Sequence, residues 1–198
     1  MTVDEDHQTY RFTREKYYLL AELGFFHGRF HDQRVELIDG EILFKPRHSG
    51  PNASSLAELL QIFAWALPPG KEREFQVRPQ FQLSISDVSD PEPDLAIVEK
   101  KPGVMRGEHP CTANLVIEVA DPPTARDHRK ISLYASAAVP EYWIVDVTKK
   151  QVTVYTEPVI APEKEFGADY KQSRVVGIND QIKPVALPME AVAVKRFF

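Results

Sequence analysis

Apolar and polar positions alternate along this chain with two different periods, and the switches between them divide it into elements. Thr13 can cap a helix over Arg14 to Leu23, where Tyr17, Leu20 and Ala21 share one face and Gly24 ends the run. From Arg34 to Lys45, two β-rich runs flank Asp39-Gly40, the strongest short-range hairpin signal. Pro51 and Asn52 introduce a second helix, Ala53 to Leu67, in which Leu56, Leu59, Leu60, Phe63 and Leu67 recur at helical spacing. Pro68, Pro69 and Gly70 stop it.

The strand period returns over residues 73–85, where Phe75, Val77, Phe81, Leu83 and Ile85 alternate and Pro79 marks a break, giving one bent strand or two short ones. Asp94 to Val98 and Leu115 to Val119 are short and almost wholly apolar, the pattern of strands covered on both faces. The loop between them, Glu99 to Asn114, is basic and reads as exposed. A helix over Arg126 to Ala138 and a buried strand over Tyr142 to Val147 follow. Gln151 to Thr156 and Arg174 to Ile178 suggest a return hairpin, and Ala191 to Phe198 a last strand. This order predicts an α/β fold with a mixed sheet.

Composition narrows the setting. A chain of 198 residues suits a single domain over 1–198, large enough to bury roughly 70% of its unfolded surface without staples. The lone Cys111 excludes an internal disulfide framework and fits a reducing compartment. The N-terminus is polar and acidic without an apolar signal core. No run approaches the roughly 20 apolar residues of a membrane helix, so the expectation is a cytoplasmic protein with no membrane partner. Net charge is −5, from 24 basic and 29 acidic residues. Any surface for nucleic acid must then be local, with Lys45 to His48, Lys71 to Arg78, Lys100 to Arg106 and Arg126 to Lys130 as candidate patches. Each of these taken singly also reads as a solvated face.

Two acids stand where the pattern calls for apolar residues. Glu118 interrupts Leu115 to Val119, and Asp94 opens the other buried run behind Pro91-Glu92-Pro93. A buried carboxylate costs several kcal/mol unless it is paired, hydrogen-bonded or metal-bound. If the two strands are antiparallel neighbours, both acids fall at one end of the sheet and make a hard-oxygen site suited to Mg²⁺ or Mn²⁺. Lys130, on the first turn of the following helix, is a candidate to orient a water or stabilise developing charge. The alternative is a satisfied core network in which Glu118 pairs with Arg126 or Lys130. Glu36 either points to the same site or lies on an exposed strand face. Asp127 reads as an acid favoured by the helix dipole.

Other chemistries find little support. The six histidines show no paired zinc spacing, and His27 and His31 lie past Gly24, where a regular helix is doubtful. There is no Gly-rich phosphate loop and no nucleophile elbow. Tyr134, Tyr142 and Trp143 read as core.

Four blocks occur in order: Arg34 to Glu41 (RVELIDGE), Pro91 to Val98 (PEPDLAIV), Leu115 to Val119 (LVIEV) and Lys130 to Asp146 (KISLYASAAVPEYWIVD). In them the chain resembles the Uma-type family of restriction-endonuclease-like proteins, within the PD-(D/E)XK nuclease-like superfamily. The resemblance implies a restriction-endonuclease-like core, a central mixed sheet flanked by helices, with an N-terminal helix and hairpin and a C-terminal β extension. It implies Mg²⁺ (or Mn²⁺) held by Asp94 and Glu118, with the Val119 carbonyl as third ligand. Ala120 stands where the superfamily's Glu-x-Lys has its lysine, and the basic role passes to Lys130. Glu36 matches the acid before the Asp-Gly turn. Asn52 falls where relatives carry a histidine, and the segment from Glu118 to Lys130 is about one residue short. The implied activity is phosphodiester hydrolysis of nucleic acid, DNA first, with a homodimer able to cut both strands of a duplex. The alternatives are a nuclease-fold nucleic-acid-binding or regulatory module without catalysis, and a scaffold whose buried acids are structural.

Overall fold

Helix α1 covers Arg14–Glu22, and the Thr13 hydroxyl accepts from the Lys16 backbone N–H at its start. Gly24, at φ 75°, takes the left-handed turn just past its end. The computed structural model describes residues 9–26, 34–67, 74–100 and 109–198. His7, His27, His31, the Pro68 to Gly70 stop, Lys71 to Arg73 of the second patch and Lys101 to Arg106 of the third lie outside the described residues.

Strands β1 (Arg34–Ile38) and β2 (Glu41–Lys45) form a two-stranded antiparallel sheet of their own. Asp39 and Gly40 turn between them with φ of 51° and 76°, both positive as a type I′ hairpin turn requires. At Gly40 a side chain has no room either, since a Cβ would stand 2.6 Å from the Cβ of Arg11.

Helix α2 spans Gly50–Ala66 and starts three residues earlier than Ala53. The cap is Ser49, whose hydroxyl accepts from the Asn52 N–H, and Pro51 sits in the first turn, where its missing donor is harmless.

The main sheet has six strands in the spatial order β3 (Phe75–Pro79), β4 (Leu95–Glu99), β5 (Leu115–Ala120), β6 (Glu141–Asp146), β7 (Gln151–Ile160) and β8 (Ala168–Gly177). Strands β5 and β6 are parallel and joined by helix α3 (Ala125–Ser136), while every other neighbouring pair is antiparallel. The mixed sheet read from the apolar runs is present. Residues 73–85 yield one strand, not two.

Alternation within β4 and β5 separates two cores. Leu95, Ile97, Leu115, Ile117 and Val119 belong to a cluster with Leu59 and Phe63 of α2. Ala96, Val98, Val116 and Ala120 belong to one with Tyr134 and Ala135 of α3. Both faces are therefore covered, which is why the runs are apolar throughout. By the same parity Asp94 and Glu118 fall on the α3 side.

The C-terminus departs from the expected strand. Only Val192–Ala193 pairs, as β10 with β9 (Gln181–Ile182), and Val194–Phe197 turns as a 3₁₀ helix. Val194 and Phe197 are the buried pair, at 0% and 1% exposure. Their three-residue spacing matches a 3₁₀ turn, not a pleat. Among the described residues no helix is long and apolar enough to cross a membrane.

Candidate active site

The β4–β5 register pairs Leu95 with Ile117. One step further out, Asp94 faces Glu118 at the end of the pair. The Val119 backbone N–H donates to Asp94 Oδ2 at 2.9 Å and fixes that carboxylate against β5. Both acids are almost fully buried.

The hairpin closes over this end. Arg34 and Lys45 are direct partners across β1 and β2, and Glu36 is two residues along the same strand as Arg34. The Lys45 ammonium donates to the Glu92 carbonyl at 2.6 Å, and lies 3.2 Å from Asp94 Oδ1 and 3.4 Å from Glu118 Oε2. Arg34 lies 3.4 Å from Asp94 Oδ1 and 3.2 Å from Glu92 Oε1. The second contact is an ion pair without hydrogen-bond geometry, for neither Arg34 NH1 nor Glu92 Oε1 has a hydrogen-bond partner.

Helix α3 supplies the opposite wall. Lys130 Nζ donates to Glu118 Oε1 at 2.7 Å and to Glu36 Oε2 at 2.8 Å, and the Tyr134 hydroxyl donates to Glu118 Oε1 at 3.0 Å. Glu36 Oε2 also accepts from the Glu92 N–H at 3.2 Å. Glu36 is thus wholly buried in the cluster and not on an exposed strand face. Arg126 does not pair with Glu118; its guanidinium donates to the Phe44 carbonyl at 2.6 Å. Asp127 accepts from the Thr124 N–H at 2.7 Å, so it caps α3 as the dipole argument predicts.

Electrostatics follow from these contacts. Burial alone would raise the Glu118 pKa, but the Lys130 and Lys45 ammoniums and the Lys130 and Tyr134 hydrogen bonds outweigh it and bring it to about 2. Burial would lower Lys130, and Glu118 and Glu36 instead hold it above its ordinary value. Burial pushes Glu92 up to about 6 against the pull of Arg34 and Lys45. His48 lies 3.4 Å from Asp94 Oδ1 and 2.8 Å from Gln80 Nε2, and burial lowers its pKa. Its imidazole is therefore neutral at pH 7.

A cleft of ≈ 270 Å³ opens onto this cluster. Asp94, Glu118, Val119 and Lys130 line it, and so do Arg34, Lys45, Arg47, His48 and Asn52. Asp121, before a cis bond to Pro122, lines it too and accepts from the Ser49 hydroxyl at 3.2 Å.

A family model described as Uma2, "Putative restriction endonuclease", matches residues 14–190. The chain belongs to that family. A crystal structure titled as a putative nuclease belonging to DUF820, from Anabaena variabilis ATCC 29413, superposes with a TM-score of 0.65. The identity is 17%, over 83% of this chain and 89% of that one, so the likeness is one of fold. No curated protein matches the chain.

Among the residues singled out from the sequence, Asp94, Glu118, Lys130 and Glu36 come together, and Val119 touches Asp94. Lys130, the candidate to orient a water or stabilise developing charge, lines the cleft from a buried position. Only 1% of it is exposed and both neighbouring carboxylates engage it. Sequence reasoning does not place Lys45, His48, Arg34 or Tyr134 at the acidic site; Lys45 to His48 reads there as a basic patch and Tyr134 as core. For Lys45 a signal existed: the Asp39-Gly40 hairpin fixes its pairing with Arg34, on the face that carries Glu36. His48 stands just ahead of the Ser49 cap, and no spacing with another ligand type marks it in the sequence.

Proposed function

We propose that this cleft is the active site of a divalent-metal-dependent endonuclease that hydrolyses phosphodiester bonds of nucleic acid, DNA first. One observation carries the reading: Asp94 Oδ1 and Glu118 Oε2 converge on a single cation position, marked by the Lys45 ammonium 3.2 and 3.4 Å away. Two hard carboxylate oxygens around one point suit Mg²⁺ or Mn²⁺, so the residues fit the group. Asp94 and Glu118 would hold it, with the Val119 carbonyl as third ligand. A divalent ion held there would supply Lewis acidity, polarising a substrate phosphoryl group and lowering the pKa of a water.

The chain's own groups do the rest. The Val119 N–H and Arg34 orient Asp94. Lys130 and Tyr134 hold Glu118 ionised and pointed at the cleft, so Lys130 serves as a positioning residue. Arg47 and Arg126 stand on the cleft wall where a phosphate backbone would approach. A homodimer would bring two such clefts to a duplex.

A nuclease-fold binding module without catalysis is the second reading. It is favoured by the ion pairing, since Lys45, Arg34 and Lys130 already pair the two acids without metal. Supercoiled plasmid incubated with Mg²⁺ or Mn²⁺ separates the two. The nuclease reading expects nicking by the wild type and none by Asp94→Asn or Glu118→Gln. Plasmid binding without nicking, unchanged by Glu118→Gln, would replace it with the binding module.

A further inference from the structure

The cation that the two carboxylates share is tethered to the protein. Lys45 ends β2, just before Pro46, and its side chain is 8% exposed. Its ammonium touches the same Asp94 and Glu118 oxygens assigned above to the metal, and its third contact is the Glu92 carbonyl. Two carboxylates this close repel unless a positive charge lies between them.

Lys45 differs from the other cations of the cluster in what it could give up. Lys130 is sealed between Glu36 and Glu118. Arg34 reaches Asp94 and Glu92 but is not ion-paired with Glu118. Among the described residues only Lys45 bridges the two candidate ligands, and it lines the open cleft on a flexible four-carbon stem. Formal charge points the same way. Among the described residues these ion pairs set four carboxylates (Glu36, Glu92, Asp94 and Glu118) against three permanent cations (Arg34, Lys45 and Lys130), one negative charge between them. Exchanging the ammonium for a divalent ion brings the sum to zero.

The geometry points to Lys45 as an internal counter-ion that a divalent metal must displace, so that this side chain sets the metal affinity of the site. The inference rests on the metal reading above. In the metal-free protein Lys45 lies between Asp94 and Glu118 and holds them close. On loading, its ammonium leaves their shared position and stays anchored at the cleft by β2. Removing the charge therefore has two opposed effects: the metal-free protein is less stable, and the metal is bound more tightly.

The test is a calorimetric titration of Mn²⁺ into wild type, Asp94→Asn, Lys45→Met, and Lys45→Met combined with Asp94→Asn, with thermal unfolding of each with and without Mn²⁺. Lys45→Met is expected to bind Mn²⁺ at least roughly tenfold more tightly, about 1.4 kcal/mol. Its Tm should lie below wild type without Mn²⁺ and recover at saturating Mn²⁺. Adding Asp94→Asn should remove the tight binding. Should the Met variant fail to fold, Lys45→Gln keeps a donor without the charge and makes the same comparison. If Lys45→Met binds no more tightly while Asp94→Asn abolishes wild-type binding, the metal site stands and the counter-ion role falls. If neither folded wild type nor Lys45→Met binds Mn²⁺, both readings fall together.

Discussion

Lys130 and Glu118 form an ion pair of 2.7 Å in which 1% of one side chain and 3% of the other meet solvent. Helix and sheet are joined at that point by charge, in a cluster that also holds Glu36, Lys45 and the Tyr134 hydroxyl. Breaking a buried pair from one side leaves an uncompensated ion and typically costs about 3–5 kcal/mol. Lys130→Met should lower Tm by on the order of 10 °C. Adding Glu118→Gln to it should recover part of the loss, because one of the two carboxylates left by Lys130 is then neutral and only Glu36 remains without its ammonium. Differential scanning calorimetry of the two variants checks both statements.

Acid should weaken the fold through Glu118. Its folded pKa, about 2, lies below the ordinary 4.5, so its contribution to stability is fully present above pH 4.5. It is lost as pH falls from there toward 2. Chemical unfolding measured at steps between pH 7 and pH 3 should show a shallower acid limb in Glu118→Gln than in wild type.

Glu92 has the opposite sign. Burial raises its folded pKa to about 6 from 4.5, so the folded state binds the extra proton and stability falls as pH rises through that interval. Glu92→Gln should therefore stabilise above pH 6, by on the order of 1 kcal/mol. The gain should fade below pH 4.5. A Tm for Glu92→Gln below wild type at pH 8 would contradict this.

The hairpin turn is open to a backbone test. Gly40→Ala must hold φ at 76° and place a Cβ 2.6 Å from that of Arg11. Strain of this kind costs about 1–3 kcal/mol. Asp39→Asn, in contrast, keeps a residue that tolerates positive φ and should unfold within a few degrees of wild type.

Much of this site can be read from the sequence for one physical reason. Asp94 and Glu118 violate the pattern of their own strands, and a violation that costs energy is visible without a structure. Glu36 violates nothing, since an acid alternating with Val35 and Leu37 is what a half-exposed strand looks like. Only the docking of the hairpin over the sheet end makes it interior. Lys45 and His48 are hidden for a related reason: in a short basic stretch between a strand and a helix, solvent is the default destination of every charge. The C-terminal strand fails on period, because Val194 and Phe197 bury at a spacing of three. Two-residue alternation and a single 3₁₀ turn are hard to tell apart over so few residues.

The far edge of the sheet also bears on the cluster, although it contributes no charge to it. Ser132, two residues past Lys130, donates to the Ala168 carbonyl of β8 at 2.7 Å and accepts from the Phe166 N–H at 3.1 Å. Arg129 reaches Glu165 at 2.6 Å, and the Tyr170 hydroxyl donates to the Val139 carbonyl at 2.9 Å, just past the end of α3. The angle at which α3 presents Lys130 is thus braced from behind by a strand almost 40 residues later in the chain. A cut in the β7–β8 turn would leave Glu36, Asp94, Glu118, Lys45 and Lys130 in place and still let the wall that aims Glu118 lean away from the cleft.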